Sequence, residues 1–530
     1  MPPLELPKVE WAQLAPELIL IGGALVLLTV GTFFRDRGGS SAYAYFTVAV
    51  AGAALVSTIG LWQDVTGDGG RPVLAIAGAV VVDGFSLFFT GTICSAVVLG
   101  ALLADGYLRR ERLEGPAFYV LMLLSASGGV FMAKANDLII VFLGLEVLSI
   151  ALYVLAGYHR RRAQSQEAAI KYFVLGSFSS AFFLYGIALV YGATGSTNLL
   201  EIAAFLRAQT VTTGVLLGGF AFLLVGLGFK VAAVPFHMWT PDVYQGSPTP
   251  VTGFMAAAAK AAGFAALLRI FASTFEAQRL DWQPIVWALA VLSLVVGSVL
   301  AVVQTDVKRM LAYSSISHAG YVLIGLQAAS DRGVAGSLFY LLAYTFLIVG
   351  SFAVVTVVGR LGDDRHGLDS YRGLAKSRPL LALSLTVFLL AQAGVPFTSG
   401  FLAKFYVISA AVDRDSYALA VIAMLAAVVA AFFYLRLIVV MYMAGDEPLA
   451  GTVADAPAPA GASPAAPPAA TATATTTESE ADTEVAAGGR VPVPVGVAVA
   501  IGLALAFTVA AGLVPEPFLD FARHATLLRL

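Results

Sequence analysis

Residues 226–250 read GLGFKVAAVPFHMWTPDVYQGSPTP, and residues 392–404 read QAGVPFTSGFLAK. Both interrupt apolar runs with the same tripeptide, Val234-Pro235-Phe236 and Val395-Pro396-Phe397. Proline removes an amide donor and breaks or kinks a helix. Inside a bilayer such a break is tolerated only where it is buried in protein or lines water. Paired Gly/Pro interruptions at corresponding positions of two halves point to an inverted-repeat transporter and its site. Counting apolar runs outward from these stretches places the first break in the seventh span and the second in the twelfth. An odd separation of five makes the two copies run in opposite directions across the membrane. The pattern predicts an all-α polytopic membrane protein of about fourteen transmembrane helices, each needing about 20 apolar residues. Two inverted five-helix repeats, spans 4–8 and 9–13, each contain one broken helix, 7 and 12.

Composition supports the membrane class. Of 530 residues, 59% are hydrophobic and 12% charged, and mean hydropathy is +0.86. Soluble domains carry about 25% charged residues. A formal net charge of −2 gives no footing for nucleic acid. The single cysteine, Cys94, allows neither an internal disulfide nor an iron–sulfur cluster, which normally takes four thiolates. Only His318 of the five histidines sits mid-span, which excludes a bis-His haem. No GxGxxG or P-loop follows a strand-like segment. No redox cofactor and no metal is therefore expected in this chain. Met1–Ala15 lacks a basic n-region, so the first apolar run is read as a span rather than a signal peptide.

Five blocks follow. Residues 1–115 hold helices 1–3, 116–272 the first repeat and 284–444 the second. Residues 445–490, rich in Ala, Pro and Thr, lack large apolar side chains and read as a disordered linker. Residues 491–530 form a last helix and tail. Lys and Arg set the orientation. Arg35/Arg37, Arg109/Arg110/Arg112, Arg160–Arg162/Lys171, Lys308/Arg309 and Arg360–Arg378 fall on one side, while the opposite loops, with Lys134 among them, mostly hold one basic residue each. The rich side is expected in the cytoplasm, with both termini and the fewer charges on the outer side.

Glu146, Lys230, Lys260, Lys404 and His318 lie well inside apolar runs. A central charge costs roughly 2.5–3.5 kcal/mol on insertion scales, and several together on the order of 10 kcal/mol if they face lipid. They are expected to face protein or water and to carry protons. Glu146 is the only mid-depth acid, and Lys230, five residues before Pro235, is its expected partner. Separating the two favours proton release from the lysine. Small residues around Lys260 leave room for water or close helix contact. Lys404 lies nearer the outer end of its span, where snorkelling competes. His318 titrates near neutral pH, although a lone histidine is more often a satisfied core residue. Arg269, Arg436, Lys308 and Arg309 read as helix-end charges, with Lys308 also placed to pass protons inward from one face.

Four stretches carry a resemblance: GFKVAAVPFHMWTPDVYQGSPTPVT (228–252), FLGLEVLSIALYVLAGY (142–158), KRMLAYSSISHAGY (308–321) and GVPFTSGFLAKFYV (394–407). They resemble the antiporter-like membrane subunits of bacterial proton-pumping NADH–quinone oxidoreductase, respiratory complex I, over residues 16–444. Lys404 points to the N-type, since the M-type is expected to have Glu there. The Ala/Pro linker departs from compact members. The resemblance implies that NADH, FMN, iron–sulfur clusters and quinone belong to partner subunits, with K-type and M-type neighbours in a bacterial cell membrane. It also implies that Glu146, Lys230, Lys260, His318 and Lys404 form a proton relay.

Two rivals remain. A subunit of a multisubunit Na⁺(K⁺)/H⁺ antiporter, or of a membrane-bound hydrogenase, shares fold and lysines. A structural spacer that pumps nothing predicts that neutralising Lys230 leaves coupling intact.

Overall fold

The computed structural model describes residues 9–33, 40–67, 69–208, 212–443 and 493–525. The expected linker, 445–490, lies outside the described residues. Helices α1 (Ala15–Phe33) and α2 (Ser40–Thr66) lead into a two-stranded antiparallel hairpin, β1 (Val73–Ala75) and β2 (Val80–Val82), with Val73 opposite Val82. The hairpin corrects the purely helical expectation, which had begun the third span at residue 74. Three consecutive β-branched valines favour the pleated surface, and Gly78 turns the chain at positive φ. Asp83 then caps α3 (Gly84–Arg110), accepting from the Ser86 amide at 2.8 Å while Ser86 Oγ accepts from its own.

Four helices follow: α4 (Pro116–Lys134), α5 (Leu138–Ala156), α6 (Ala163–Thr194) and the short α7 (Leu199–Arg207). The first break comes next. Helix α8 (Gly214–Val231) stops where Ala232 turns left-handed, and the chain resumes as α9 (Trp239–Gly246). A continuous rod over Thr249–Thr274 follows, buried throughout. It comprises α10 (Thr249–Phe254), a π-helical turn at Met255–Ala259, α11 (Lys260–Leu268) and a second π-turn at Arg269–Thr274. Then come α12 (Arg279–Val302), α13 (Val307–Gln327), α14 (Asp331–Val358) and the one-turn α15 (Leu374–Ser377). The second break separates α16 (Pro379–Ala393) from α17 (Ser399–Val412), with Gly394 left-handed and Thr398 capping α17. Helices α18 (Tyr417–Tyr442), α19 (Val495–Leu513) and the amphipathic α20 (Glu516–His524) complete the chain.

Among the described residues, twelve helices are long and apolar enough to cross a membrane. Two expected spans fall outside that set for physical reasons. Lys308, Arg309, Ser314, Ser315, Ser317 and His318 make α13 polar, and the second break divides residues 380–409 into two short helices. The rod at 249–274 packs on α3, α4, α8 and α14, and α14 packs on α3, α13, α16, α17 and α19. These two elements form the centre of the molecule, and the lipid-sized apolar side chains lie on the helices around them.

Candidate functional site

Lys230 occupies the last turn of α8, next to the break. Its Nζ donates to Ser149 Oγ at 2.8 Å and to the Tyr172 hydroxyl at 3.3 Å. Tyr172 stacks on Trp239, the first residue of α9, with ring centroids 4.6 Å apart. The Trp239 indole donates to the Phe229 carbonyl at 3.0 Å, in the last turn of α8, where the Ala232 amide also donates to it. The half-helix beyond the break thus positions the hydroxyl that receives Lys230. Glu146 is not the contact partner the sequence suggested. It lies half-buried one turn before Ser149 on α5, its Oε1 has no hydrogen-bond partner, and no ion pair joins it to Lys230. The face of α5 that meets α8 presents Ser149 instead. A cleft of about 10 Å³ between α5, α6 and α8, lined by Ser149, Tyr153, Ser179, Ser180 and Lys230, has room for one water at most.

Lys260 opens α11 directly after the π-turn. Such turns insert a residue into a helix and often mark functional positions. Its Nζ donates to the Ser315 carbonyl at 2.6 Å and to Ser315 Oγ at 2.5 Å, and lies 5.6 Å from the Tyr344 ring centre. Gly263, one turn on, lets the stem of Lys230 pack against this rod. A Cβ there would lie 3.2 Å from Lys230 Cγ.

His318 sits one turn beyond Ser315 on α13. Nδ1 is 2.6 Å from the Tyr340 hydroxyl and Nε2 is 3.2 Å from the Tyr434 hydroxyl. Tyr434 also bonds Ser314 Oγ and reaches Gln392 Oε1 at 3.5 Å, while Gln392 Nε2 donates to Ser351 Oγ at 2.8 Å. Gln392 lies at the end of α16. Its neighbour Ala393 offers its carbonyl to Lys404 Nζ at 2.9 Å, and the same ammonium lies 4.8 Å from the Tyr321 ring centre. Lys404 is only 6% exposed, so it does not snorkel. The structure thus brings Lys260, His318 and Lys404 into one run of buried polar groups. Lys230 adjoins that run through packing, and Glu146 lies within electrostatic range of Lys230 without touching it. Serine and tyrosine hydroxyls both donate and accept, so the run has the parts needed to pass protons between amines and an imidazole. Among the described residues, no group of His, Cys, Asp or Glu could hold a metal ion.

Sequence reading missed several buried charges. Arg269 does not snorkel: it grips both Asp83 oxygens at 2.8 and 2.9 Å, donates to the Ala133 carbonyl and stacks on Phe85. Lys134 is not a loop charge but pairs with Glu17 at 2.9 Å, both fully buried. Lys308 is fully buried at the start of α13. It donates to the Ser247 carbonyl at 2.6 Å and lies 3.5 Å from Asp363 Oδ2. Asp363 also takes Arg162 at 3.1 Å, His366 at 3.0 Å and the Thr249 hydroxyl at 2.7 Å. Burial alone would raise the Asp363 carboxyl, but Lys308, His366 and Arg162 together hold it well below the usual carboxylate range. Asp363 stands in a connecting segment among several acids, with nothing in its local pattern to single it out. The i, i+7 spacing of Lys308 and Ser315 is the signal that places Lys308 on the functional face of α13.

The family described as NADH:quinone oxidoreductase/Mrp antiporter, transmembrane, matches residues 135–430. NADH-quinone oxidoreductase subunit N of Trichlorobacter lovleyi is 43% identical over 433 residues, covering 82% of this chain and 87% of that one. Among solved structures, a chain of respiratory complex I from Thermus thermophilus with bound aureothin is 33% identical, covers 96% of this chain and 99% of its own, and superposes with a TM-score of 0.74. A chain of the Mrp complex from Dietzia sp. superposes at 0.80 over 98% of this chain and 97% of its own, at 21% identity, a likeness of fold alone.

Proposed function

This chain belongs to the NADH:quinone oxidoreductase/Mrp antiporter transmembrane family, and from that premise we propose that it is the N-type, proton-translocating subunit in the membrane arm of an NADH–quinone oxidoreductase. NADH, FMN, iron–sulfur clusters and quinone reside in partner subunits, and K-type and M-type subunits flank this one. The setting is a bacterial cell membrane, with the arginine-rich face in the cytoplasm and both termini outside. Spans 4–8 and 9–13 are the inverted repeats, and the fourteen-span count includes α13 and the divided twelfth span.

The observation that carries this reading is the run Lys260–Ser315–His318–Tyr434–Gln392–Ala393–Lys404, which leads from one broken-helix half to the other through buried groups. Ser149 and Tyr172 are neutral and can donate or accept, so they serve Lys230 as an ammonium or as an amine. Glu146 acts on Lys230 through space without a hydrogen bond to it, so no direct carboxylate contact fixes the Lys230 charge. Closing the Glu146–Lys230 pair holds the proton, and opening it sends the proton to Lys260 and along α13 to Lys404. Charge changes from quinone reduction elsewhere in the complex bias this opening.

The antiporter alternative shares the fold, whereas the relatives that match over four-fifths of the chain bear the N-subunit name. The test is NADH-driven acidification of inverted membrane vesicles with and without the gene. Loss of acidification, together with co-purification of the chain with quinone-reducing subunits, is expected. Proton exchange for Na⁺ or K⁺ that persists without NADH would instead establish the antiporter.

A further inference from the structure

The arginine-rich face holds a cavity of about 410 Å³ lined by Arg162, Gln245, Asp306, Asp364 and His366 among others. His366 forms part of its wall, yet its side chain is only 2% exposed and Nδ1 has no hydrogen-bond partner. Nε2 faces Asp363, 3.0 Å from Oδ1 and 2.8 Å from the carbonyl. The other oxygen of Asp363 lies 3.5 Å from Lys308 Nζ. This loop is clamped to α13: the Val307 amide donates to the His366 carbonyl at 2.8 Å, and Leu368 donates to Thr305. Tyr107, Arg162 and the Thr249 hydroxyl close the remaining sides of the carboxylate, with His159 behind Tyr107 and Glu111 bonded to the Gly362 amide.

Inward of Lys308 the polar groups continue. Lys308 holds the Ser247 carbonyl, and Ser247 Oγ is buried without a partner. Tyr244, one turn back along α9, approaches Ser315, the residue that receives Lys260. Thr240, a turn further on the same helix, has a second unpartnered buried hydroxyl. Two buried hydroxyls, on and just after α9, are thus left free to take part in a polar path. Two turns of α13 separate Lys308 from Ser315 on the same face.

We propose that this cavity is the proton-uptake mouth of the relay, with His366 the group that takes protons from it and Asp363 the carboxylate that links His366 to Lys308. The proposal rests on the relay reading above. In the step, a hydronium ion in the cavity gives a proton to His366 Nδ1 and leaves as water, while the Nε2 proton moves to Asp363 Oδ1. Rotation of the now neutral carboxyl group carries that same proton to Lys308, an amine because it has already given its own inward past Ser247 and Tyr244 towards Lys260. Asp363 is then a carboxylate again, and the neutral ring regains its Nε2–H tautomer by exchanging protons with cavity water, so one proton has passed from the cavity to Lys308.

The test uses the assembled complex in inverted vesicles, where the arginine-rich face meets the medium. His366→Ala is expected to slow proton pumping about a hundredfold, the lower end of the range for acid–base catalysis, and millimolar imidazole in the medium is expected to restore it. A merely structural histidine would give no such rescue. His366→Gln, which keeps a hydrogen bond to Asp363, guards against misassembly and is expected to be equally slow. Wild-type pumping by assembled His366→Gln, or slow pumping by His366→Ala that imidazole does not restore, overturns the proposal. Lys230→Ala run alongside separates the two readings. If it pumps normally the relay itself fails, and if it is uncoupled while the His366 variants pump normally only the mouth is misplaced.

Discussion

At the scale of single residues, three buried lysines, Lys230, Lys260 and Lys404, are held by neutral oxygens rather than by a carboxylate, unlike Lys134 and Lys308. Lys230 has Ser149 and Tyr172, Lys260 has Ser315, and Lys404 has the Ala393 carbonyl. A carboxylate contact would fix the charge, whereas hydroxyls accommodate either protonation state. Hydrogen bonds to charged groups contribute about 1.5–3 kcal/mol. Ser315→Ala leaves Lys260 only the carbonyl, and turnover of the assembled complex is expected to fall roughly tenfold at constant assembly. Steady-state NADH-driven pumping beside a native gel checks this. Gly394→Ala acts through shape. Its φ of +94° disfavours a side chain by about 1–2 kcal/mol, and the new Cβ would meet Lys404 Cδ at 3.1 Å. Reduced thermal stability and slower pumping are expected together, and an unchanged melting profile would contradict this reading of the turn. The five residues proposed for the relay stand out in the sequence as titratable groups inside apolar runs. Their partners do not, because serine, tyrosine and glutamine are ordinary in any helix and acquire meaning only through neighbours tens of residues or more away in the sequence.

At the scale of elements, the two Val-Pro-Phe breaks were legible because proline chemistry is local, and both fall where expected. The hairpin at 73–82 was hidden by its valines, which extend an apolar run as readily as they form strands. Helix α13 shows the reverse. Its polar face lowers its hydropathy below that of a span, yet that face is what lines the run from Lys308 to His318. Helices α1 and α4 are joined by the dry Glu17–Lys134 pair, which apolar neighbours in sequence gave no reason to expect. Breaking such a pair from one side costs about 3–5 kcal/mol, while replacing both partners with apolar groups is often neutral. Lys134→Met is therefore expected to lower the yield and melting temperature of the complex. Adding Glu17→Leu is expected to restore both. A single variant as stable as wild type would contradict this assignment.

For the whole molecule, the arginine-rich face is tied together by carboxylates held below their usual range. Burial works against ionisation of both Asp363 and Asp242, but Lys308 and His366 in one case, and Lys171 and Arg309 in the other, outweigh it. A carboxyl whose pKa is depressed on folding contributes stability above its unfolded value, near pH 4, and loses it as pH falls towards the folded value. Acidification below about pH 4 is expected to loosen this face, and Asp363→Asn is expected to flatten that dependence in pH-jump native gels. The membrane class, the family and its N-type character were legible from composition and four stretches, and the comparisons bear them out. The lack of contact between Glu146 and Lys230 was not, since sequence marks which side chains are out of place in lipid but not which of them touch.

The central claim is that the buried lysines move protons rather than stabilise the fold. Proton pumping per NADH oxidised, measured in membranes carrying Lys230→Ala with assembly verified on a native gel, tests it most directly. Loss of pumping in an assembled complex is the predicted result. Wild-type pumping and turnover would contradict it and make these charges structural.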